Sequence, residues 1–114
     1  MKRKSIVNLK RQASISGEPL KFIEAWYDAQ CDGEWEHGHG VKIDTSDNPG
    51  WSVEIDLTGT MLEGRQDFNR YFDFRKKVEW MNVTKKDKVF YGYGGPSRLA
   101  DILEFFREWT LASD

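Results

Sequence analysis

At 114 residues the chain is sized for one domain, and its 7 Phe, 5 Trp and 4 Tyr can build one packed core but not two. A single cysteine, Cys31, excludes an intramolecular disulfide, and no apolar run approaches the roughly 20 residues of a membrane span, so a cytoplasmic protein without a membrane segment is expected. The formal charge of -2 is uneven: Lys2, Arg3, Lys4, Lys10 and Arg11 fall in residues 1–17 with no acid, which leaves the rest at -7, a sign that repels phosphate and attracts basic protein surfaces.

Residues 1–17 are expected to be a basic, flexible tail, and residues 18–114 a single α+β domain. Leu20, Ile23, Trp26 and Tyr27 recur at helical spacing, Pro19 suits a first turn and Asp32-Gly33 supplies a stop, which predicts an N-terminal helix burying those four side chains. Trp35, His37, His39, Val41 and Ile43 share one parity, with Glu36, Lys42 and Asp44 on the other, which predicts a strand. Asp47-Asn48-Pro49-Gly50 predicts a type II turn, the fixed φ of Pro49 preceding a positive φ at Gly50. Beyond it Trp51, Val53, Ile55 and Leu57 alternate with Ser52, Glu54 and Asp56, so a second strand should return antiparallel to the first.

A third strand is expected near Phe68, Arg70, Phe72 and Phe74. Val78 to Val83 and Lys88 to Tyr93 predict a second hairpin about Lys85-Lys86-Asp87. Gly92, Gly94, Gly95 and Pro96 then introduce a Pro-started helix carrying Leu99, Ile102, Leu103, Phe106 and Trp109. The expected architecture is an antiparallel sheet of about five strands with the N-terminal and C-terminal helices on one face.

No residue set points to catalysis, a metal or a cofactor. His37 and His39 aim to one side of a strand near Cys31, but no carboxylate or third histidine is fixed by spacing to complete a site. Carboxylates such as Glu54 and Asp56 divide acid and base roles only if one is buried, and alternation places both on a solvated face. As a recognition surface the same pattern is informative: Glu34, Glu36, Asp44, Glu54 and Asp56 are the candidate partner-binding residues, interrupted by Lys42 alone. An alternative uses the basic tail with Arg75, Lys76, Lys77, Lys85, Lys86 and Lys88, which interleave with Phe72, Phe74, Trp80 and Phe90 as in a single-strand nucleic-acid platform. Asp73, Glu79 and Asp87 dilute that composition, and the overall acidity disfavours nucleic acid as a partner.

Several segments carry a resemblance: Trp26-Tyr27 through Gln30-Cys31-Asp32-Gly33, Trp35-Glu36-His37, Asp47-Asn48-Pro49-Gly50-Trp51, and Gly92-Tyr93-Gly94-Gly95-Pro96 leading to Leu99 and Trp109. In that order, over about residues 18–110, the chain resembles the immunity protein 53 family of bacterial polymorphic toxin systems. The resemblance implies an antidote in a toxin-antitoxin arrangement, which binds a cognate protein toxin domain and blocks it without catalysis. The free chain is expected to be a monomer. The motif residues Trp35, Glu36, Pro49, Gly50, Trp51, Gly94, Gly95 and Pro96 carry over either as contact residues or as the frame of the hairpin.

Overall fold

The computed structural model describes residues 18–76 and 79–112, so the basic segment 1–17 and its expected flexibility lie outside the described residues, as do Lys77 and Val78. The two period-two runs about Pro49 become β1 (Val41–Ser46) and β2 (Gly50–Asp56), paired antiparallel with Val41 opposite Ile55 and Ser46 opposite Gly50. The later runs form β3 (Phe68–Lys76), β4 (Glu79–Lys86) and β5 (Val89–Gly94). All five make one antiparallel sheet in the order β1-β2-β5-β4-β3, the α+β arrangement that the alternation predicts.

Directly opposed residues share a sheet face, so the register sorts the side chains. Val53 and Ile55 of β2, Phe90 of β5, and Met81 and Val83 of β4 point inward and are buried, with Phe68 and Phe72 of β3 packed beside them. Helix α3 (Leu99–Leu111) covers this face, and Ile102 occupies the space over Gly92, where a Cβ would meet the Ile102 Cγ2 at 2.3 Å. Helix α1 (Pro19–Gln30) lies against α3, with the Trp26 ring edge-on to Phe106 at 5.3 Å and Phe22 at 6.3 Å from it. Both helices and the inward sheet residues close a single core. Among the described residues no helix is long and apolar enough to cross a membrane.

Five local expectations are corrected. Helix α1 buries Phe22, Ile23, Trp26, Ala29 and Gln30 while Leu20 and Tyr27 point to solvent, because Phe22 and Trp26 are the side chains that reach Phe106. Residues 35–38 are not a strand but a helical turn, α2 (Trp35–Gly38), and β1 begins only at Val41. Asp32 Oδ1 accepts the N–H groups of Glu34 and Trp35, both at 3.0 Å. The Glu36 carboxylate reaches back to the N–H groups of Asp32 and Gly33 at 3.0 and 2.9 Å. These side-chain bonds to local amides stabilise a helical turn that parity alone mistakes for extension.

The turn about Pro49 is not type II, because Gly50 does not take the positive φ that such a turn needs after the proline. Glycine is needed at position 50 for space, since a Cβ there would lie 2.4 Å from the Gly94 carbonyl oxygen. In the second hairpin the turn is Asp87-Lys88, with Asp87 at φ 56°, and Lys85 belongs to β4. Helix α3 starts at Leu99 rather than at Pro96, after a turn closed by the Arg98 N–H on the Gly95 carbonyl at 3.0 Å.

Candidate partner-binding site

The face of the sheet opposite the helices is ordered by the same registers. One row across it reads Asp44, Ser52, Tyr93, Asn82, Tyr71, and the next reads Lys42, Glu54, Tyr91, Thr84, Asn69. Acidic side chains therefore gather toward β1 and β2, and tyrosines run from the centre to β3. The Tyr91 and Tyr93 rings stand nearly parallel at 6.4 Å, and Tyr71 is 63% exposed and Tyr93 39%. Partial burial, followed by the negative charge of Glu54, pushes the Tyr93 hydroxyl above its usual pKa, so it stays a hydrogen-bond donor at neutral pH. Asn82 Nδ2 donates to Asn69 Oδ1 at 2.9 Å and Thr84 Oγ1 donates to the same oxygen at 2.7 Å, which fixes the polar side chains between the tyrosines.

Where α2 meets the ends of β1, β2 and β5, a cleft of about 400 Å³ opens on this side of the molecule, lined by Glu36, His37, His39, Lys42, Glu54 and Asp56 among others. His39 Nδ1 lies 2.6 Å from Asp56 Oδ2, and Asp56 Oδ1 accepts the Thr58 N–H at 2.9 Å. Burial acts to raise the Asp56 pKa, but the hydrogen bonds from His39 and Thr58 outweigh it and hold the carboxyl below the usual range. The Glu36 carboxyl is also lowered, first by its own backbone N–H and, against the opposing effect of burial, by those of Asp32 and Gly33. Both side chains are ionised acceptors at neutral pH.

The residues expected from the sequence to meet a partner thus divide. Glu36, Glu54 and Asp56 come together in the cleft, although Glu36 arrives from α2 and not from a strand. Asp44 stands one row along on β1, its Oδ1 accepting the Thr45 N–H at 2.8 Å. Glu34 is exposed just before α2, outside the residues that line the cleft. Among the described residues no group of three or more His, Cys, Asp or Glu is arranged to hold a metal ion. Among the described members of the nucleic-acid platform, Phe90 is in the core and Lys85 is 2% exposed with its Nζ 3.0 Å from Asp67 Oδ1, so neither is offered to a ligand; the basic tail and Lys77 lie outside the described residues.

Tyr71, Tyr91 and Tyr93 are the surface residues that the sequence left unassigned. Parity within Val89–Tyr93 sets Tyr91 and Tyr93 on one side, but only the pairing with β2 shows that this side is the open one. The motif residues, by contrast, hold the frame. Trp35 is buried and its indole N–H donates to the Thr58 carbonyl at 2.7 Å. The Trp51 indole donates to the Pro96 carbonyl at 2.9 Å, and the Gly95 N–H to the Trp80 carbonyl at 3.1 Å. A Cβ at Gly94 would sit 2.9 Å from the Arg98 Cβ.

In comparison with known proteins, residues 20–111 match the family model described as Immunity protein 53. Searches of curated proteins and of solved structures gave no significant match.

Proposed function

The chain belongs to the immunity protein 53 family, and from that membership we propose that it neutralises a cognate toxin domain in the cytoplasm by laying its helix-free sheet face on a basic surface of the toxin. An immunity-protein role is what the family gives; the face is assigned on its chemistry. The observation that carries the assignment is one surface on which Tyr71, Tyr91 and Tyr93 lie beside Glu54 and Asp44. Aromatic side chains that are partly ordered before binding supply most of the energy of an interface, while rim charges govern encounter and orientation. A standard contact of about 800 Å² per partner fits on such a sheet. Glu36 and Asp56, anchored by backbone and by His39, offer acceptors for a toxin Lys or Arg at the cleft, and Glu34, exposed just before α2, adds negative charge outside it. The toxin is blocked by occlusion, and no bond is made or broken.

The test is co-expression of the chain with the product of an adjoining toxin reading frame. Co-purification of the pair is expected. Glu54→Lys should slow association several-fold and flatten its salt dependence, and Tyr71→Ala with Tyr93→Ala should speed dissociation by about tenfold or more. All three side chains are exposed, so far-UV circular dichroism should stay unchanged. A triple variant that binds and protects as well as the parent chain would show that another surface is used. Failure of the unmodified chain to bind would sink the toxin reading itself.

A further inference from the structure

β1 is a terminal strand of the sheet. The Asp56 N–H donates to the Gly40 carbonyl at 3.0 Å, one step beyond the pairing of Val41 with Ile55. Bonded and non-bonded pairs alternate along an antiparallel ladder, so Lys42, Asp44 and Ser46 bond toward β2. The N–H and C=O groups of Val41, Ile43 and Thr45 consequently point away from the sheet. The side-chain bond from Asp44 to the Thr45 N–H fits an outward amide that no strand in the sheet takes.

The two edges are not alike. β3 breaks register between Asp73 and Lys76, and such irregularity is a device that prevents strand addition. β1 keeps regular pairing along its whole length and contains no proline. Ile43 has the parity of the core yet is 41% exposed at this edge.

We propose that β1 pairs antiparallel with β1 of a second copy of this chain, Ile43 facing Ile43 of the copy across a two-fold axis, so that two five-stranded sheets become one. In that register the outward groups of Val41, Ile43 and Thr45 all enter the ladder. Val41 meets Thr45 of the copy and Ile43 meets its own counterpart, both on the core face, where β-branched side chains pair well. On the open face Lys42 stands opposite Asp44 of the copy, twice by symmetry. Charge selects this register. Outward groups must face outward groups, and the adjacent alignments that satisfy this set Lys42 against Lys42 or Asp44 against Asp44, which is repulsive. Such self-complementarity defines a two-fold interface and is not required of an edge that receives an unrelated strand. The monomer expected from the sequence is thereby replaced by a weak, concentration-dependent dimer.

The experiment uses the full chain without toxin, in sedimentation velocity at physiological salt over about 1 to 500 µM. The mass should rise from monomer toward dimer across the series. Lys42→Asp and Asp44→Lys each turn two attractive contacts into two repulsive ones and should weaken the dimer about tenfold or more. The double exchange Lys42→Asp/Asp44→Lys restores opposite charges in the same register and should bring the dimer back. Far-UV circular dichroism verifies folding of each variant. A chain that is monomeric at the highest concentration, a dimer indifferent to the single reversals, or a double exchange that fails to recover association would each overturn the proposal.

Discussion

Asp56 illustrates how a surface carboxylate acquires a structural task. Alternation puts it on the open face, but its two oxygens are taken by His39 and by the Thr58 N–H, so it closes the end of β2 while lining the cleft. Because its pKa is lower in the fold than in the unfolded chain, Asp56 contributes stability at any pH above the usual carboxylate range. That contribution is lost as the pH falls below the usual carboxylate range and through the lower folded value. Asp56→Asn should therefore cost about 1–2 kcal/mol at neutral pH. Its stability, followed by urea unfolding, should also decline less steeply than that of the parent as the pH falls below the usual carboxylate range. An identical acid slope in the two proteins would mean that the hydrogen bonds do not hold Asp56 ionised. Glu54 on the same strand is exposed, which is why it, and not Asp56, is the residue for testing toxin contact without disturbing the fold.

Elements in this protein meet closely because glycine lets them. Gly92 lies under Ile102 of α3, and Gly50 under the carbonyl of Gly94, so helix-on-sheet and strand-on-strand approaches are both set by missing side chains. Gly92→Ala should destabilise by about 1–3 kcal/mol through overpacking, and Ile102→Ala alone by about 2–5 kcal/mol through a cavity. Combined, the added methyl enters the space vacated by Ile102, so the double variant should be cheaper than the sum by about 1 kcal/mol or more. Additive costs in urea denaturation would show that the two residues do not share this contact. The turn α2 makes the complementary point about elements: four residues with strand-like parity become helical because the Asp32 carboxylate takes the amides of Glu34 and Trp35 while the Glu36 carboxylate takes those of Asp32 and Gly33.

The whole molecule is organised about Phe106, whose ring neighbours are Phe22 and Trp26 of α1, Phe90 of β5, and Trp109 of its own helix. Both helices and the sheet thus depend on one side chain. Phe106→Ala should cost about 3–5 kcal/mol, with tryptophan fluorescence and far-UV circular dichroism losing signal in one coincident transition. Separate transitions would indicate that α1 and the sheet unfold independently. Much of this architecture is legible locally. The alternation of Trp51, Val53, Ile55 and Leu57 and the spacing of Ile102, Leu103 and Phe106 depend on side chains a few positions apart, and β2 and α3 follow from them. The order of the glycine and tryptophan segments likewise carries the family. Tertiary structure alone decided that β2 lies beside β5, and hence that Glu54 faces Tyr91 and Ser52 faces Tyr93 on an open surface. Periodicity is written within a single turn or strand, whereas the choice of neighbouring strand depends on which pairing buries the most apolar area over the entire chain. That sum of distant contacts appears in no local window.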